Sequence, residues 1–587
     1  MAPDSALRRR AVLAGGLGAL TATSGCISEL RSIAGREASE QLSLSISTAP
    51  ASEDPYAVRI ANRLASHLSR VGVDTTVSPM ESSELLQNVL INLDFDIYVA
   101  RYPAQGHPNE LRSLLYSSYG EEAGWQNPFG FSDLEMDDML DQQRHLSGAD
   151  RAELVHDVQR EIVRKQPFTV VAFPDRIAGI RTDRYRGWPN GGIHRPTDYL
   201  RLVRRGEADR LHLLIGDPRV TENRNPIAVE YRDRGIVTGL LYEPLTRTID
   251  GESIPWLARD IEWNDGDRLT ATVTLRETPW HDGEPVTAND VAFTYDFLRD
   301  TSLGGSETPV PTPWRRSRLS LVDTVRARND EEVHITFTAS EIEPARRALE
   351  VSILPEHVWT EQSDPVDIAG IDIAGQTTEA LVWPNESPVG SGPVRFVEAE
   401  VDSHLTLEAF PRHFLHDGDS TGIPGRLASG VPFDRLRISV VPSDDAAVEL
   451  LESDGADGTG SDTNASVVPR IGRNDDIGLT VERSKTFHHV GYNCRRAPLS
   501  NPRFRRTLSR LLDRSHIAKD AFEGYASPSE TPLGAPWQPD DLEWSGTASL
   551  PFLGEDGELD VPAAREAFRE TGYQYDDNDR LVRRGAA

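Results

Sequence analysis

The alternation of apolar and polar residues is clearest between residues 261 and 298. Apolar side chains at every second position from Leu269 to Leu275 predict a strand with one buried face, paired in a hairpin with residues 261–263. Thr287 can cap a helix, Asp290 falls in its first turn, and apolar residues follow at helical spacing. This stretch therefore predicts a hairpin followed by an amphipathic helix.

A strand, a helix and a second strand are predicted near the start of the folded chain. Residues 42–46 alternate as a strand, residues 56–68 place apolar side chains on one helical face, and residues 73–77 form the next strand. This spacing is typical of a βαβ unit with parallel strands. Residues 95–99 predict a further buried strand, and the loop 101–108 after it lies where binding loops are common.

A strand end is predicted just before the hairpin. Leu241 and Tyr242 are apolar in character and lead into Glu243-Pro244-Leu245. Proline has no N–H to donate to a neighbouring strand, so pairing stops there. We therefore expect a buried strand to end at Tyr242.

Composition and charge favour a soluble, strongly acidic protein. The 587 residues carry a formal net charge of -31, and no apolar run is long enough to span a bilayer. The charge excludes nucleic acid as a partner, since phosphates would be repelled. The lysines are Lys165, Lys485 and Lys519, whereas arginine is abundant. This pattern favours a halophilic protein kept soluble in high salt; an acidic protein from a GC-rich genome is the alternative.

The first 41 residues predict an export signal and a tether. Arginines 8–10 precede a short, glycine-rich apolar stretch, and residues 23–26 resemble a lipobox that ends at Cys26. The arginines fit the twin-arginine pattern, so residues 1–25 are expected to be a lipoprotein signal peptide and residues 26–41 a lipid anchor and tether. A short membrane anchor is the alternative, which the length and the glycines of the stretch disfavour.

No group of residues points to catalysis or to a metal. Asp137 lies beside Asp138 on a predicted acidic helix surface, and His281 has no second His or Cys at ligand spacing. His413 and His488, each with a histidine nearby, lack a carboxylate arranged for a metal or a triad. The motifs of serine hydrolases, zinc proteases and phosphate-binding loops were not found. We therefore expect no enzyme activity and no metal or cofactor.

The segment from Gly239 to Leu298 resembles the family 5 solute-binding proteins of ABC importers, the dipeptide- and oligopeptide-binding group. The family pattern is matched in order by Tyr242, Glu243, Pro244, Leu245, Pro255, Leu257, Ala258, Leu275, Arg276, His281, Asp282, Gly283, Pro285, Thr287, Ala288, Asp290 and Val291. The resemblance implies an α/β fold of the class II periplasmic-binding-protein type, with two lobes joined by a hinge and an extra subdomain. It also implies capture of a solute between the lobes, without covalent chemistry.

Further segments resemble the same family, but in a different order. Residues 127–171 resemble a series from the family's carboxyl end, whereas residues 206–300 carry its amino-terminal pattern. Circular permutation is the simplest explanation; a recombined gene whose halves do not fold together is the alternative. Permutation predicts that Arg580 to Val582 lie next to Leu42 to Ile46 in space.

By the same resemblance, the chain is expected to divide into two lobes. Residues 179–484 would form the first lobe with its extra subdomain. Residues 42–178, of the family's carboxyl-terminal type, would form the second lobe together with residues 485–587.

The ligand site is expected at loop ends between the lobes, with candidates Arg101, Tyr102, Gln105, Trp125, Asn127, Tyr242, Ser391, Tyr492 and Asn493. In peptide-binding relatives an aspartate after the buried strand neutralises the amino terminus of the peptide. Here Ala104 stands at that position, which argues against a free peptide amine. Arg101 favours an anionic or hydroxyl-rich ligand, with a surface ion pair as the alternative. Core packing is the alternative for Tyr242 and Tyr492.

The resemblance implies an extracytoplasmic lipoprotein, lipid-anchored to the outer face of the cytoplasmic membrane. It would capture a peptide-like, oligomeric or polar solute and deliver it to an ABC importer. Its partners would be the ligand, permease subunits with cytoplasmic ATPases, and the membrane through the lipid anchor; we expect a monomer. The alternatives are a surface sensor or structural lipoprotein that kept the fold without transport, and an exported hydrolase.

Overall fold

A computed structural model describes residues 40–103, 106–228, 236–366, 377–417 and 420–582. The predicted signal peptide, the lipobox and Cys26 lie outside the described residues. The same is true of Ala104 and Gln105, two positions of the predicted binding loop.

A mixed sheet runs through the described part of the molecule. Its twelve strands, numbered β1 to β12 in chain order, are Ser43–Thr48, Asp74–Pro79, Ile97–Tyr102, Phe168–Ile180, Arg210–Ile215, Val394–Glu400, His404–Ala409, Arg435–Val440, Gly458–Thr459, Gly478–Arg483, Phe487–Tyr492 and Ala526–Pro528. Their order across the sheet is β6-β7-β8-β5-β9-β4-β11-β3-β1-β2, and β10 and β12 also pair with β4.

Smaller sheets and helices surround it. A four-stranded antiparallel sheet has the order Ala258–Asp265, Leu269–Leu275, Glu332–Phe337, Val322–Ala327. Two-stranded pairs are Tyr185–Arg186 with Val203–Arg204, Thr246–Ile249 with Glu252–Pro255, Pro365–Val366 with Thr377–Thr378, Gly554–Glu555 with Glu558–Leu559, and Gln574–Tyr575 with Leu581–Val582.

The α-helices are Pro55–Arg70, Ser82–Leu86, Asn109–Leu115, Leu134–Gln142, Gly148–Lys165, Pro196–Arg201, Arg219–Glu222, Thr238–Leu241, Ala288–Arg299, Arg316–Leu319, Ile342–Ala345, Glu356–Trp359, Glu379–Val382, Phe414–Asp417, Asp444–Glu452, Val468–Ile471, Pro502–Ser509, Arg514–Asp520 and Val561–Glu570. Short 3₁₀ or π turns are Gln87–Ile91, Ser117–Tyr119, Gln143–His145, Arg346–Glu350, Thr360–Gln362, Ala465–Val467 and Asp540–Leu542. None of the described helices is both long enough and apolar enough to cross a membrane.

The predicted strand, helix and strand near the start of the chain are confirmed. The helix Pro55–Arg70 begins at Asp54, whose carboxylate accepts from the Ala57 N–H at 2.9 Å. It connects β1 to β2, which pair in parallel with Ser43 opposite Asp74. The apolar face of the helix therefore packs on the sheet as the periodicity indicated.

The predicted hairpin and helix are also confirmed. Ala258–Asp265 pairs antiparallel with Leu269–Leu275, and the buried positions of the second strand alternate along its length. The helix Ala288–Arg299 begins with a capping box, in which the Asp290 carboxylate accepts from the N–H and hydroxyl of Thr287. Capping chemistry is local, which is why it could be identified without tertiary information.

The prediction of a buried strand that ends at Tyr242 is wrong, because residues Thr238–Leu241 form one helical turn. Gly390 and Gly392 lie directly against this turn. A Cβ at Gly390 would lie 1.9 Å from the Leu241 carbonyl oxygen, and a Cβ at Gly392 would lie 1.9 Å from that of Leu240. The Gly392 N–H donates to the Leu241 carbonyl at 2.9 Å. A loop distant in sequence thus uses a backbone acceptor that a strand would have needed.

The hydrophobic cores form two groups. One group, which we call the central body, draws its buried side chains from residues 185–477. The other, the terminal body, draws them from residues 42–172 and from residues 487–581. Both ends of the described chain therefore contribute to the same core.

The two ends of the described chain lie side by side, as predicted for Leu42 and Leu581. The Leu42 N–H donates to the Leu581 carbonyl at 2.8 Å, and the Leu581 N–H donates to the Gly72 carbonyl at 2.9 Å. Gln41 and Val582 form an antiparallel bridge. Gly72 has φ 88°, and a Cβ there would lie 2.2 Å from the Asp579 carbonyl oxygen, so this contact requires glycine.

Two neighbouring segments connect the bodies. The first half of β4, a strand of 13 residues, pairs with β11 and β12, and its second half pairs with β10 and β9. The chain from β10 to β11 follows the same route in the opposite direction, and the Ser484 N–H donates to the Pro174 carbonyl at 3.2 Å between them. The sheet is thus continuous from one body to the other.

Candidate functional site

A cleft that is partly open to solvent lies between the two bodies. Its terminal wall is formed by Tyr102, Pro103, His107, Asn109, Glu110, Ser113 and Trp125, and its central wall by Trp314, Arg315, Ser317, Arg318 and Arg347. Aromatic surface with a few polar anchors is typical of small-molecule sites.

The aromatic part of the terminal wall is held rigidly. Tyr102, the last residue of β3, stacks on Phe487 with ring centroids 5.3 Å apart, and Trp125 meets it edge-on at 5.7 Å. The backbone N–H of Trp125 donates to the Pro313 carbonyl of the central body at 2.7 Å. At Gly124, with φ 106°, a Cβ would lie 2.1 Å from the Pro313 carbonyl oxygen. Glycine therefore allows the two bodies to touch directly beside the cleft.

The central wall is rich in guanidinium groups. Glu350, just behind the wall, accepts from Arg347 at 2.7 Å and lies 3.5 Å from Arg318. Arg315 lies over the ring of Trp314, with its guanidinium carbon 3.6 Å from the centroid. Burial, and next the nearby Arg318, lower the pKa of Arg315 well below its ordinary value, whereas Glu350 acts to raise it. The central wall is thus cationic although the protein as a whole is acidic.

His107 adds little positive charge to the opposite wall. Burial and then the neighbouring Arg347 lower the pKa of His107 well below its usual value, so the imidazole is neutral at pH 7. Its Nδ1 accepts from the Asn109 N–H at 3.2 Å. Burial also lowers the pKa of Lys485, which lies against the backbone of Gly106 next to His107.

Three of the residues predicted to contact ligand lie at or beside the cleft. Tyr102 and Trp125 line it. Arg101, one position earlier on β3, donates a hydrogen bond to the Thr486 hydroxyl at 2.8 Å and forms a salt bridge with Asp462 at 2.5 Å. Because Asp462 belongs to the central body, the partly buried Arg101–Asp462 pair joins the two bodies.

The predicted asparagines bind backbone groups inside the terminal body. The fully buried Asn127 amide donates to the Tyr116 carbonyl at 3.0 Å and to the Phe131 carbonyl at 2.7 Å. Asn493 is also fully buried and donates to the Phe95 carbonyl at 2.9 Å. Neither side chain is among the cleft-lining residues.

The other three predicted residues are buried away from the cleft. The Tyr242 hydroxyl accepts from Asn385 at 2.8 Å, and the Ser391 hydroxyl accepts from the Glu243 N–H at 3.2 Å. The Tyr492 hydroxyl lies 2.7 Å from that of Thr169. The core-packing alternative for the two tyrosines agrees with this geometry.

His281, weighed above as a metal ligand, is held by backbone groups. Its Nδ1 accepts from the Gly390 N–H at 3.2 Å, and its Nε2 donates to the Gly392 carbonyl at 3.0 Å. Burial lowers the pKa of His281 to about 4, so the neutral tautomer persists at neutral pH. Among the described residues, no three His, Cys, Asp or Glu side chains gather in a way that could hold a metal ion.

The cationic wall was missed by the sequence interpretation. Trp314 and Arg315 follow the segment Val310 to Pro313, which holds two prolines and lies between the helices Ala288–Arg299 and Arg316–Leu319. A tryptophan next to consecutive arginines in so acidic a chain is a signal that could have identified this loop. Arg347 lies in a separate helical segment and has no such signal.

A family model matches more than half of the chain. Residues 252–584 match the model described as bacterial extracellular solute-binding proteins, family 5 Middle. The glutathione-binding protein GsiB of Pectobacterium atrosepticum is 27% identical over 32% of this chain and 32% of its own length. The oligopeptide-binding protein AppA of Bacillus subtilis is 24% identical over 59% of this chain and 56% of its own length. The chain thus spans between about a third and just over half of the length of these curated relatives.

Solved structures are similar over a larger part of the chain. NikZ of Campylobacter jejuni, in complex with Ni(L-His), is 19% identical, covers 65% of this chain and 66% of its own, and has a TM-score of 0.45. AppA of Bacillus subtilis, in complex with a nonapeptide, is 20% identical over 65% of this chain and 68% of its own, also with a TM-score of 0.45.

Proposed function

The chain belongs to family 5 of the bacterial extracellular solute-binding proteins, and on this premise we propose that it captures a small polar solute in the cleft between its two bodies. The family is one of binding proteins and not of enzymes, in agreement with the expectation from sequence. Tyr102, Trp125 and Trp314 would hold the solute by stacking, and the arginines of the central wall would orient it.

The observation that carries this proposal is the position of the cleft. It lies between two separate hydrophobic cores that are joined by two neighbouring segments, β4 and the chain from β10 to β11. Such a connection can bend while each core stays intact, and a ligand that touches both walls favours the closed arrangement. We propose these two segments as the hinge, with lobes of residues 179–484 on one side and residues 42–178 and 485–587 on the other.

Further polar contacts join the two bodies and favour the closed arrangement. Glu122 accepts from Arg316 at 2.7 Å, and Glu343 accepts from Arg151 at 2.8 Å. Arg144 donates to the Ser320 carbonyl at 3.1 Å. Opening would expose these groups to water, so each contact contributes a small free energy in favour of the closed arrangement. A bound ligand would add to this contribution.

Ligand capture is tested by mass spectrometry of small molecules that copurify with the protein, followed by thermal titration with each. At a hundred times its dissociation constant, a ligand should raise the melting temperature by about 2 to 3 °C if the chain unfolds as one unit. Trp314→Ala should abolish the shift. Trp263→Ala, which changes a tryptophan of the separate four-stranded sheet, should keep it. A ligand whose effect survives Trp314→Ala would contradict the assignment of the cleft.

Circular permutation is part of the proposal and is supported by the contact between the chain ends. A rearranged chain would join Val582 to Leu42 through a short glycine-serine linker and begin at the exposed turn at Gly206. It should melt within a few degrees of the natural order and bind the same solutes. A control chain opened at Pro174, in the middle of β4, should not fold. If the chain that begins at Gly206 does not fold while the chain opened at Pro174 does, permutation is contradicted.

Export and lipid anchoring at Cys26 belong to the same proposal and rest on the sequence alone. In an expressing host, the protein should partition into detergent and lie outside the cytoplasmic membrane. Cys26→Ala should release it into the aqueous phase, because the lipid supplies most of the membrane affinity. An unchanged partition would argue against the anchor.

The lysine-poor, acidic composition supports operation in high salt. Molar KCl should raise the melting temperature by screening the repulsion that a net charge of -31 creates. A melting temperature independent of salt would favour the alternative of an ordinary acidic protein.

Delivery to an ABC importer separates transport from sensing. The loaded, monomeric protein should stimulate ATP hydrolysis by its reconstituted permease and ATPase subunits, whereas the empty protein should do so less. Ligand binding without any such stimulation would favour the sensor.

A further inference from the structure

We propose that the cleft selects solutes bearing an oxyanion, a carboxylate or a phosphate, which Arg315 binds against the face of Trp314. The inference rests on the proposed solute capture and names its ligand class. It is carried by the geometry of Arg315 and by the charges that face it.

Arg315 lies in the cleft wall without a carboxylate in salt-bridge contact, and the nearby acid Glu350 acts on its charge only through space. Among the described residues, its guanidinium lies over the Trp314 ring and no salt bridge joins it to an acid. A guanidinium taken from water costs free energy unless it is paired. The fork of donors matches a carboxylate or phosphate, and an arriving oxyanion would remove this cost.

The backbone of Arg315 points to the same role. Its φ is 91°, a left-handed conformation that glycine adopts freely and other residues adopt at a cost. Strain of this kind persists where the surrounding structure enforces it and is concentrated at binding sites. An arginine at a position suited to glycine therefore indicates that its side chain is needed.

The charges around Arg315 favour an anion over an amine. Three guanidinium groups line the cleft, those of Arg315, Arg318 and Arg347, against one carboxylate, that of Glu110 on the opposite wall. Glu350, the other nearby acid, lies against two of these arginines. A solute carrying a free amine would therefore face an excess of positive charge, whereas an oxyanion would balance it.

The test uses pairs of probes that differ in charge: succinate and succinamide, glycerol 3-phosphate and glycerol, and a tripeptide with its carboxyl-terminal amide. Tryptophan fluorescence is the readout, since two tryptophans line the cleft. The anionic member of at least one pair should bind at least about ten-fold more tightly than its neutral partner. The pair that discriminates identifies the source as carboxylate or phosphate.

Three variants separate contact from long-range charge. Arg315→Gln should weaken the anionic probe about ten-fold or more, whereas Arg268→Gln, an exposed arginine paired with Asp323, changes the net charge equally and should have no effect. Arg315→Gly should lose binding while the melting temperature stays the same or rises, because glycine relieves the backbone strain. A purely structural arginine would instead lower the melting temperature.

The outcomes distinguish this inference from the proposed function. Neutral probes binding as well as anionic ones, or Arg315→Gln leaving the anionic probe unaffected, would overturn the oxyanion site and leave solute capture standing. If neither these probes nor any copurifying solute binds the wild-type protein, both proposals are overturned.

Discussion

Glu243 is fully buried at the centre of a charged network with His413, also fully buried, and Arg247, whose side chain is 11% exposed. Its replacement by glutamine should be strongly destabilising. Its carboxylate accepts from the Arg247 Nε at 3.0 Å and from the His413 Nε2 at 3.1 Å. Arg247 also donates to the Gly239 carbonyl at 2.7 Å and lies over the ring of Trp256. The side chains of Glu243 and His413 are 0% exposed, so water does not replace a lost partner.

The magnitude follows from the charge that is left behind. Burial favours a raised pKa for Glu243, but Arg247 and His413 outweigh it and hold the pKa below its ordinary value, so the carboxylate is ionised at neutral pH. Glutamine keeps the shape and removes the charge, which leaves Arg247 buried without a counterion. Breaking a buried pair in this way costs about 3 to 5 kcal/mol.

Urea denaturation followed by tryptophan fluorescence measures this loss. The matched control is Asp323→Asn, which removes a carboxylate from an exposed pair with Arg268 and should cost less than about 1 kcal/mol. The double variant Glu243→Gln, Arg247→Met should recover part of the loss, because no charge is left unpaired. A Glu243→Gln protein within about 1 kcal/mol of wild type would refute the reasoning.

Two further predictions concern backbone packing and pH. Gly72→Ala should lower the melting temperature clearly more than Gly251→Ala. Both glycines have φ near 90°, but a Cβ at Gly72 would lie 2.2 Å from the Asp579 carbonyl oxygen, whereas one at Gly251 meets nothing within 4 Å. Equal melting temperatures of the two variants would contradict this prediction. Because the pKa of His281 is lowered to about 4 by burial, the unfolded chain takes up a proton first, and stability should fall as the pH drops from about 6.5 towards 4. His281→Gln should flatten this dependence in urea titrations at several pH values, and an unchanged slope would contradict it.

Local patterns in the sequence predicted the elements that depend on neighbouring residues. The capping box of Thr287 and Asp290 and the strand, helix and strand from residue 43 to residue 79 are set by spacing over a few residues. The meeting of Leu42 with Leu581 was predicted by a different route, the order of family segments. A contact between the chain ends leaves no periodic trace in either segment.

The candidate site was predicted less completely, because it is built from distant parts of the chain. Tyr102 and Trp125 come from the terminal body and were proposed from loop ends, but Arg315 and Arg347 come from the central body. Nothing in their spacing relates them to Tyr102. Side chains such as Asn127 were suggested by residue type, and the structure instead shows them holding backbone carbonyls.

The segment Tyr242 to Leu245, part of the matched family pattern, illustrates why family patterns identify a fold more readily than a ligand. Tyr242 and Glu243 are buried, and their polar atoms are bound by Asn385, Arg247 and His413. Such a network specifies how the central body packs, whatever solute the cleft accepts. Under the proposed function, discrimination would fall to the residues on the cleft walls, of which Arg315 lies outside the matched pattern.

The contrast between the acidic surface and the cationic wall has a consequence for selectivity. A net charge of -31 repels anions in dilute salt and would slow the arrival of the very solutes that Arg315 favours. In about 1 M salt the Debye length shrinks to about 3 Å, so the surface repulsion vanishes over most of the approach. Charges inside the cleft are screened much less, because they are partly removed from water. In the proposed site, the electrostatic part of the affinity for an anionic solute should therefore come from the cleft arginines in high salt, where an acidic protein surface is no obstacle to binding.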